Sequence, residues 1–292
     1  MKFFAALFGI AAALWTFLRF LPYPELEVYE SRSRGLAVYD RNGRILRVFP
    51  ADDGVKREWV FLRDLPAGAR RIFIRAEDRR FYFHPGVDPV AVAAGFLRNL
   101  RAGRVVSGAS TITMQLARLV KPHGPGLKGK IGEAFDALRL EARLSKKRIL
   151  ELWFNGIPFG SNIEGIAAIT RARFGRDISG LDDSRAVLLA VIPRRPGLYD
   201  PALNPEAALS AAAALSRRCG LDPDGASLRE ALADASPARL PEAKSPFAAP
   251  HFSERVAALY RALSAESAAA PAGLPRGSLR TTLDSEKQFY AE

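Results

Sequence analysis

The sequence predicts a mainly α protein with an N-terminal anchor helix and a short β-hairpin. Three observations support this fold class. An uncharged apolar run opens the chain, alternating residues surround an Asn-Gly pair, and apolar residues recur at helical spacing from residue 64 to residue 219. A chain of 292 residues can form one large domain or two small ones with a sizeable core.

The apolar run is the first element. Residues 3–18 carry no charge and are flanked by Lys2 and Arg19. A membrane-spanning helix needs about 20 apolar residues, and residues 3–21 just reach this length if the Arg19 side chain extends toward the head groups. We predict an uncleaved single-pass anchor over residues 1–21, because no small-x-small cleavage site follows the run. A cleaved signal peptide is the alternative. Positive charge at the N-terminus predicts that the rest of the chain is exported, although Arg19 opposes this orientation.

The second element is a predicted β-hairpin. Residues 35–49 alternate apolar and polar side chains around Asn42 and Gly43, a pair typical of tight hairpin turns. We place this hairpin in a short stalk, residues 22–63, next to the membrane.

Helices are predicted for residues 64–220. The first has an apolar stripe at helical spacing, formed by Leu65, Ala69, Ile72 and Ala76. Asp88 and Pro89 predict the N-cap and first residue of a second helix, which runs to about Leu100. Later helices are predicted to open at polar residues, namely Ser110, Ser145, Asn162, Asp183 and Asn204.

Two of these helices carry polar residues away from their apolar faces. After Ser110, one face holds Thr111, Gln115 and Arg118. In residues 130–143, Lys130 and Glu133 lie one turn apart, and the residues predicted to face inward are Ile131, Phe135, Leu138 and Ala142.

The last region, residues 221–292, is rich in Ala, Pro, Ser and charged residues. This composition predicts a partly mobile linker with one weak helix near residues 253–265. The final residues, from about 279, have the pattern of a first strand of a further domain.

Charge and cysteine content limit the possible functions. Lysine and arginine number 43 against 31 acidic residues, which gives a net charge of +12. Such a surplus indicates a solvated basic surface, or binding to nucleic acid, anionic lipid or a phosphate-bearing substrate. No groove-reading motif accompanies the arginines, so we expect no nucleic-acid partner. A single cysteine, Cys219, excludes a disulfide framework and a cysteine-based zinc site.

The polar residues on the helices are individually ordinary but suggest a chemistry in combination. A lone Glu77 near two arginines is usually a solvated salt bridge. Acids together with arginine and lysine donors are what a general base and a diphosphate leaving group require. Cations neutralise the phosphates, and a carboxylate removes a proton best when burial brings its pKa near neutrality.

Five segments resemble the motifs of the family 51 peptidoglycan glycosyltransferases, in the family's order. Residues 77–88, EDRRFYFHPGVD, match Glu-Asp-x-x-Phe-x-x-His-x-Gly-x-Asp, and residues 107–118, SGASTITMQLAR, match the second motif. The third, fourth and fifth motifs of the family are similar, in that order, to the segments KIGEAFDALRLE, SKKRILELWFN and RAVLLAVIPRRPGLYDPALNPEAAL. The second motif and GSNIEGIAA look most like the C-type branch of the class A penicillin-binding proteins.

The resemblance implies a largely helical, lysozyme-like glycosyltransferase domain over residues 64–220. Such a domain polymerises lipid II into glycan strands on the outer face of the cytoplasmic (inner) membrane, in the periplasm or extracellularly, with inversion at C1 of MurNAc. Undecaprenyl diphosphate leaves. Implied partners are lipid II, the growing lipid-linked chain, the membrane and other cell-wall synthesis proteins. A membrane-dipping jaw would include Phe83, Val90, Val92, Phe96 and Leu97, which are alternatively ordinary core.

The matched motif positions imply roles for individual residues. Glu77 would be the general base on the acceptor hydroxyl, and Glu133 would assist the diphosphate side, directly or through a divalent cation (Mg or Mn). The residues implied to bind substrate or diphosphate, or to support Glu77, are Asp78, Thr111, Gln115, Arg118, Lys130 and Lys146. The structural motif residues are Phe81, His84, Gly86 and Ser110. The three histidines of the chain show no metal spacing, so no protein-bound metal is predicted.

The sequence departs from the family pattern in two ways. The third motif usually begins Arg-Lys, and here it reads Gly129-Lys130, which suggests that one phosphate contact is weakened or displaced. No serine is followed three residues later by lysine, so the nucleophile motif of a penicillin-sensitive transpeptidase is missing from residues 1–292. A fragment and a naturally short product both remain open.

Two other functions compete with glycan synthesis. A lysozyme-like lytic transglycosylase is also helical and uses carboxylates, but a hydrolase needs no phosphate-binding cations. A non-catalytic, membrane-anchored scaffold of cell-wall synthesis is the second alternative. Retention of both Glu77 and Glu133 argues against it.

Overall fold

The computed structural model describes residues 2–32, 35–42, 44–104, 110–220, 225–235, 249–266, 278–285 and 287. The described chain is mainly helical, as the sequence predicts. It divides into two compact units, Met1–Arg32 with Phe73–Gly156 and Ser33–Ile72 with Ile157–Glu292. Of the predicted mobile linker, residues 221–224, 236–248 and 267–277 lie outside the described residues.

The first unit is a bundle of helices around one central helix, α5. Its helices are α1 (Lys2–Phe20), α2 (Pro24–Ser31), the last residues of α3 (Ala67–Glu77), α4 (Pro89–Ala102), α5 (Ile112–Val120), α6 (Gly126–Arg143) and α7 (Lys146–Gly156). Helix α5 contacts α2, α6 and α7. Its apolar residues Ile112, Leu116 and Ala117 are fully buried, so α5 is a rigid support for the polar residues on its other face.

The N-terminal helix α1 packs against α6. Arg19 donates a hydrogen bond to the carbonyl of Ala142, near the end of α6, rather than being free to extend away from the protein. In the part of the chain that the structure describes, no helix is long and apolar enough to cross a membrane. The anchor therefore stays a prediction.

The predicted stripe of α3 is confirmed. Leu65, just before the helix, and Ala69, Ile72 and Ala76 within it are all buried. The N-cap predictions for α4 and α7 are also confirmed, because the amides of Ala91 and Arg148 donate to the side chains of Asp88 and Ser145.

Three predicted helix starts are wrong by one or more residues. Thr111, not Ser110, caps α5, since its hydroxyl accepts from the Met114 amide. Asp182, not Asp183, caps the helix at residues 183–191. Asn162 lies in a turn with φ of 59°, and the helix after it begins only at Ile166. In each case a neighbouring residue has the extended or turn conformation that the cap position requires.

The predicted inward face of α6 is wrong at two positions. Ile131 and Phe135 are exposed, at 62% and 44%, while Glu133 and Asp136 are buried. The helix turns its polar residues inward because cations pair with them: Lys130 of the same helix and Arg118 of α5 with Glu133, and Arg139 of the same helix with Asp136. This orientation places a buried carboxylate, Glu133, against α5.

The apolar residues predicted for a jaw are exposed rather than core. Phe83 is 85% exposed, and Phe96 and Leu100 on α4 are 66% and 68% exposed. Val90, Val92 and Leu97 are also on the surface. The alternative that they form ordinary core is therefore wrong.

The second unit contains the predicted hairpin. Strands β1 (Leu36–Tyr39) and β2 (Ile45–Phe49) are antiparallel, and β6 (Ser278–Arg280) adds to the other side of β1 in parallel. Helix α13 (Pro250–Glu266) packs Ala257 against Leu36, Val38 and Leu46. The predicted late strand and weak helix are thus present, and both complete the hairpin's core.

The rest of this unit surrounds a second small sheet. Its strands are β3 (Lys56–Arg57), β4 (Pro158–Gly160) and β5 (Ile163–Glu164), in the order β3-β5-β4. Its helices are α8 (Ile166–Phe174), α9 (Asp183–Val191), α10 (Pro196–Tyr199), α11 (Pro205–Cys219) and α12 (Gly225–Asp234). Helix α9 is buried from Ala186 onward and forms the centre of this unit.

Candidate active site

The segment from Glu77 to Asp88 is a closed loop. Glu77 is the last residue of α3, and Asp88 caps α4. Arg80 spans the loop and donates to both carboxylate oxygens of Asp88, at 2.8 and 2.9 Å. This two-point contact pairs the Arg80 side chain with Asp88.

Hydrogen bonds also determine the pKa of Asp88. Burial alone would raise this pKa, but the hydrogen bonds from Arg80 and from the Ala91 amide outweigh it and hold the pKa below its usual range. Asp88 therefore remains charged at neutral pH and keeps Arg80 in place.

Asp78 connects this loop to α5. Its carboxylate contacts Nε2 of His84 at 3.0 Å and accepts from the Ile112 amide at 3.1 Å. An ionised carboxylate only accepts, so Nε2 of His84 carries the proton. The Ile112 amide is at the N-terminus of α5, where a negative charge is favourable. Asp78 thus fixes the position of its neighbour Glu77 relative to α5.

Gly86 and Phe81 complete the loop. Gly86 has φ of 98°, and a β-carbon there would lie 2.9 Å from the carbonyl oxygen of Ala137 on α6, so only glycine fits. Its own carbonyl accepts from the Thr111 hydroxyl. Phe81 is fully buried and packs edge-on against His84. Gly86 and Phe81 thus hold the loop against α6 and His84.

An open cleft of about 340 Å³ lies along this loop. It contains three carboxylates and three guanidinium groups, a composition suited to an anionic substrate and a base. The lining residues are Glu77, Asp78, Arg79, Arg80, Asp88, Ala91, Ala94, Arg98, Ser110 and Thr111.

Helix α5 presents two polar side chains to two different carboxylates. Gln115 Nε2 donates to Oε2 of Glu77 at 2.9 Å, and Arg118 Nη1 lies 3.8 Å from Oε1 of Glu133. Gln115 and Arg118 are three residues apart on one face, which corresponds to about 4.5 Å along the helix axis. The predicted face of α5 therefore contacts both Glu77 and Glu133, through residues about one turn apart.

Glu133 is held by two cations. Its Oε2 accepts from Lys130 at 2.7 Å, and Arg118 lies on its other oxygen. Lys130 also donates to the Ser110 hydroxyl at 2.8 Å. Glu133 is buried at 4% exposure, whereas the Lys130 and Arg118 side chains are 45% and 49% exposed. The cations can therefore reach a ligand in solution while Glu133 holds them in place.

The surroundings of Glu133 do not fit a resident divalent cation. Mg²⁺ takes about six oxygen ligands and needs negative charge around it. Glu133 offers one carboxylate, and both of its oxygens already face a lysine or an arginine. No step described below uses a metal ion.

Asp78, His84 and Asp88 also come together, with one ligand atom of each lying within 4.8 Å of the others. Counting histidine spacing in the sequence missed this group, because two of its members are aspartates. Arg80 occupies both oxygens of Asp88, and His84 shares its proton with Asp78. These hydrogen bonds hold the group together and join the loop to α4.

Lys146, expected near the diphosphate, has three local contacts. Its ammonium group donates to Glu141 and to the carbonyl of His84, each at 2.7 Å. It also lies over the Phe81 ring at 4.3 Å. These contacts attach the loop to α7, and a role for Lys146 in phosphate binding stays a prediction.

Two residues of the site were missed by sequence reasoning. Arg98 lines the cleft from α4, and its spacing from Ala91 and Ala94, at i, i+3 and i+7, could have revealed it. Trp153 on α7 donates to Gln115. It lies in an apolar run, where nothing in the local sequence distinguishes it from core.

Comparisons with known proteins agree with the motifs. The family model described as Transglycosylase matches residues 42–219. Penicillin-binding protein 1C of Escherichia coli (strain K12) is 40% identical over 207 residues, which cover 71% of this chain and 26% of that protein. Penicillin-binding protein 1A of Aquifex aeolicus (strain VF5) is 37% identical over 202 residues, covering 69% of this chain and 27% of that protein.

The chain thus spans about a quarter of the length of the curated relatives it matches. A crystal structure of penicillin-binding protein 1A from Haemophilus influenzae matches with a TM-score of 0.35 and 16% identity, over 89% of this chain and 28% of that one. That likeness is too low to support an argument. On the family model and the sequence identities, the chain belongs to the transglycosylase family, and it is a glycosyltransferase.

Proposed function

We propose that this chain polymerises lipid II into β-1,4-linked glycan strands and releases undecaprenyl diphosphate. One observation carries the proposal. Helix α5 contacts both a carboxylate bonded to a neutral amide, Glu77, and a carboxylate held by two cations, Glu133, through Gln115 and Arg118, which are one turn apart. A base on one side and a phosphate cradle on the other is what inversion at a sugar carbon requires.

The proposed reaction transfers one proton and exchanges one bond. Glu77 accepts the proton of the acceptor's 4-hydroxyl as that oxygen forms a bond to C1 of MurNAc at the end of the growing chain. The bond from C1 to the diphosphate oxygen breaks, and the electron pair leaves with the diphosphate. Gln115 supports this step because its amide donor holds the carboxylate of Glu77 toward the cleft.

Lys130 and Arg118 would take up the negative charge of the departing diphosphate. Both are half-exposed and are oriented by the buried Glu133. Fixed cations stabilise developing charge without reorganising during the reaction. Glu133 is proposed to position these cations. Thr111 and Asp78 are proposed to shape the donor side and to hold the Glu77 loop.

The proposed site of action is the periplasmic or extracellular face of the cytoplasmic membrane. The exposed apolar side chains of Phe83 and α4 support contact with lipid. The net charge of +12 supports attraction to anionic head groups.

Replacing the base tests this proposal. Glu77→Gln keeps the shape of the side chain but cannot take a proton, so we expect polymerisation to fall by about 10²- to 10⁴-fold. Lipid II binding and the melting temperature should stay close to wild type. The measurement is incorporation of labelled lipid II into polymer, and the matched control is the exposed Glu230→Gln on α12.

Two outcomes would contradict the proposal. Full polymerisation by Glu77→Gln would refute the assignment of the base. Release of anhydro-muropeptides from mature glycan, with no polymer formed from lipid II, would identify a lytic enzyme instead. A wild-type chain that binds lipid II and makes no product would favour the scaffold.

A further inference from the structure

We infer that Trp153 is a positioning residue for the catalytic carboxylate, acting through Gln115. The inference rests on the proposed function, since it concerns how Glu77 is oriented for catalysis. Trp153 Nε1 donates to Oε1 of Gln115 at 3.1 Å, and Gln115 Nε2 donates to Oε2 of Glu77 at 2.9 Å. The three side chains form one directed chain of hydrogen bonds from α7 through α5 to α3.

The chemistry of the indole gives this chain its direction. An indole N–H can only donate, whereas an amide has one accepting oxygen and one donating nitrogen. With its oxygen toward Trp153, Gln115 must point its NH₂ group at Glu77. The flipped amide would place a donor against the indole and an acceptor against the carboxylate, and both bonds would be lost.

This direction gives Glu77 the role of acceptor. Either oxygen of an ionised carboxylate can accept from the NH₂ group, whereas one oxygen of a protonated carboxyl group is a donor. A donor held toward the carboxylate therefore supports the form that can take up a proton. Trp153 orients that donor from α7, through Gln115.

The indole is itself held rigidly. Trp153 is 1% exposed. Its ring packs edge-on against Phe73 at 6.2 Å and Phe154 at 4.9 Å, and these two rings also contact each other at 5.5 Å. Such aromatic packing restricts the ring to one orientation.

One of these packing partners is on the helix that carries the base. Phe73 and Glu77 are four residues apart on α3, so they lie on the same face of the helix. Trp153 is therefore linked to α3 in two ways, directly through the Phe73 ring and indirectly through Gln115, which donates to Glu77. The two links fix both the helix end and its last side chain.

The first test is Trp153→Phe, which keeps an aromatic ring and removes the indole N–H. We expect kcat for polymerisation to fall about five- to thirtyfold, with KM for lipid II changed by less than about twofold. The acidic limb of the pH–kcat profile should move to higher pH, because the ionised base loses an oriented donor. A merely structural role would lower the melting temperature without moving that limb.

A double-mutant comparison isolates the route through Gln115. On a Gln115→Ala background, adding Trp153→Phe should cause no further loss of kcat, since the chain is already broken. Equal losses on both backgrounds would overturn the inference. So would a wild-type kcat and pH profile in Trp153→Phe.

A spectroscopic measurement covers the case in which Trp153→Phe fails to fold. In protein labelled with ¹⁵N-tryptophan, the Trp153 indole resonance should shift with pH in the wild type and lose that shift in Glu77→Gln. An indole signal that titrates identically in both proteins would refute the connection. If Glu77→Gln remains fully active, the proposed base is wrong; if only Trp153→Phe behaves as wild type, the base stands and this inference fails.

Discussion

At the scale of single residues, Asp88 has two structural roles that substitutions can distinguish. Its carboxylate accepts from the Ala91 amide as the N-cap of α4, and it also pairs with Arg80 across the loop that carries Glu77. Asparagine can form the N-cap hydrogen bond but not the ion pair with Arg80, and alanine can form neither. The position therefore offers a matched pair of variants.

We expect Asp88→Asn to lower the free energy of unfolding by about 1 kcal/mol and Asp88→Ala by about 2 kcal/mol. The ion-pair contribution is small because the Arg80 side chain is 43% exposed and water screens it. Urea denaturation monitored by circular dichroism measures both values. Equal effects of the two variants would show that the N-cap hydrogen bond contributes nothing, and a wild-type stability of Asp88→Asn would show that the pairing with Arg80 contributes nothing.

The difference in unfolding free energy between wild type and Asp88→Asn should depend on pH. The pKa of Asp88 is lowered in the folded protein, so its stabilisation is complete above the unfolded value of about 3.9 and is lost as pH falls through the lowered pKa. The gap between wild type and Asp88→Asn should therefore be constant from pH 7 to about pH 5 and close at lower pH. A gap that widens in acid would contradict this assignment.

At the scale of secondary structure, the sequence predicts α3 and α4 better than α6. Helix α3 buries a regular apolar stripe, and α4 opens with an N-cap and proline, so local patterns suffice. Helix α6 buries Glu133 and Asp136 because Lys130, Arg118 and Arg139 compensate their charge. Arg118 comes from another helix, and periodicity within α6 carries no information about it.

The departure at the start of the third motif has a steric reason. A β-carbon at Gly129 would lie 1.7 Å from the carbonyl oxygen of Gly124, so no larger residue fits without moving the backbone. An arginine at this position would have to displace the turn before α6. Lys130 consequently carries more of the proposed phosphate binding than it would with an arginine beside it.

We therefore expect Lys130→Gln to lower kcat/KM for polymerisation about ten- to a hundredfold, in keeping with one lost charged hydrogen bond. The control is Lys128→Gln, an exposed lysine two residues earlier on the same helix, which should stay within about twofold of wild type. Steady-state kinetics at constant ionic strength measures both. Equal losses in the two variants would mean that α6 contributes only general positive charge.

At the scale of the whole chain, the sequence predicts the order of the helices and the hairpin. It predicts only in part which side chains meet at the candidate site. The motifs identify Glu77, Gln115 and Glu133, but the partners that orient them are set by tertiary contacts such as that of Trp153. The sheet of the second unit illustrates the same limit. Strand β6 joins β1, from which more than 230 residues separate it, and no local pattern specifies such pairing.

We expect the exposed surface around α4 to bind the membrane and so to determine where the enzyme acts. Three apolar side chains are each at least 66% exposed, namely Phe83 before the helix and Phe96 and Leu100 on it. Arg98 and Arg101 lie on the same helix. Apolar side chains beside basic ones are typical of surfaces that bind the interface of an anionic membrane. Burying one large apolar side chain in lipid contributes about 1.5–3 kcal/mol, so the three together would hold the cleft near a lipid-linked substrate.

We expect the triple variant Phe83→Ser, Phe96→Ser, Leu100→Ser to lose at least about tenfold in polymerisation when lipid II is presented in anionic vesicles. Detergent micelles carry lipid II to the enzyme in solution. In micelles, the activity of the triple variant should therefore stay within about twofold of wild type. The control Leu203→Ser removes an apolar side chain of similar exposure, 62%, after α10. Raising the salt concentration should weaken vesicle activity further, because the arginine contribution is screened. If vesicle and micelle activities fall together, the patch stabilises the fold instead, and if neither falls, the cleft reaches its substrate without this surface.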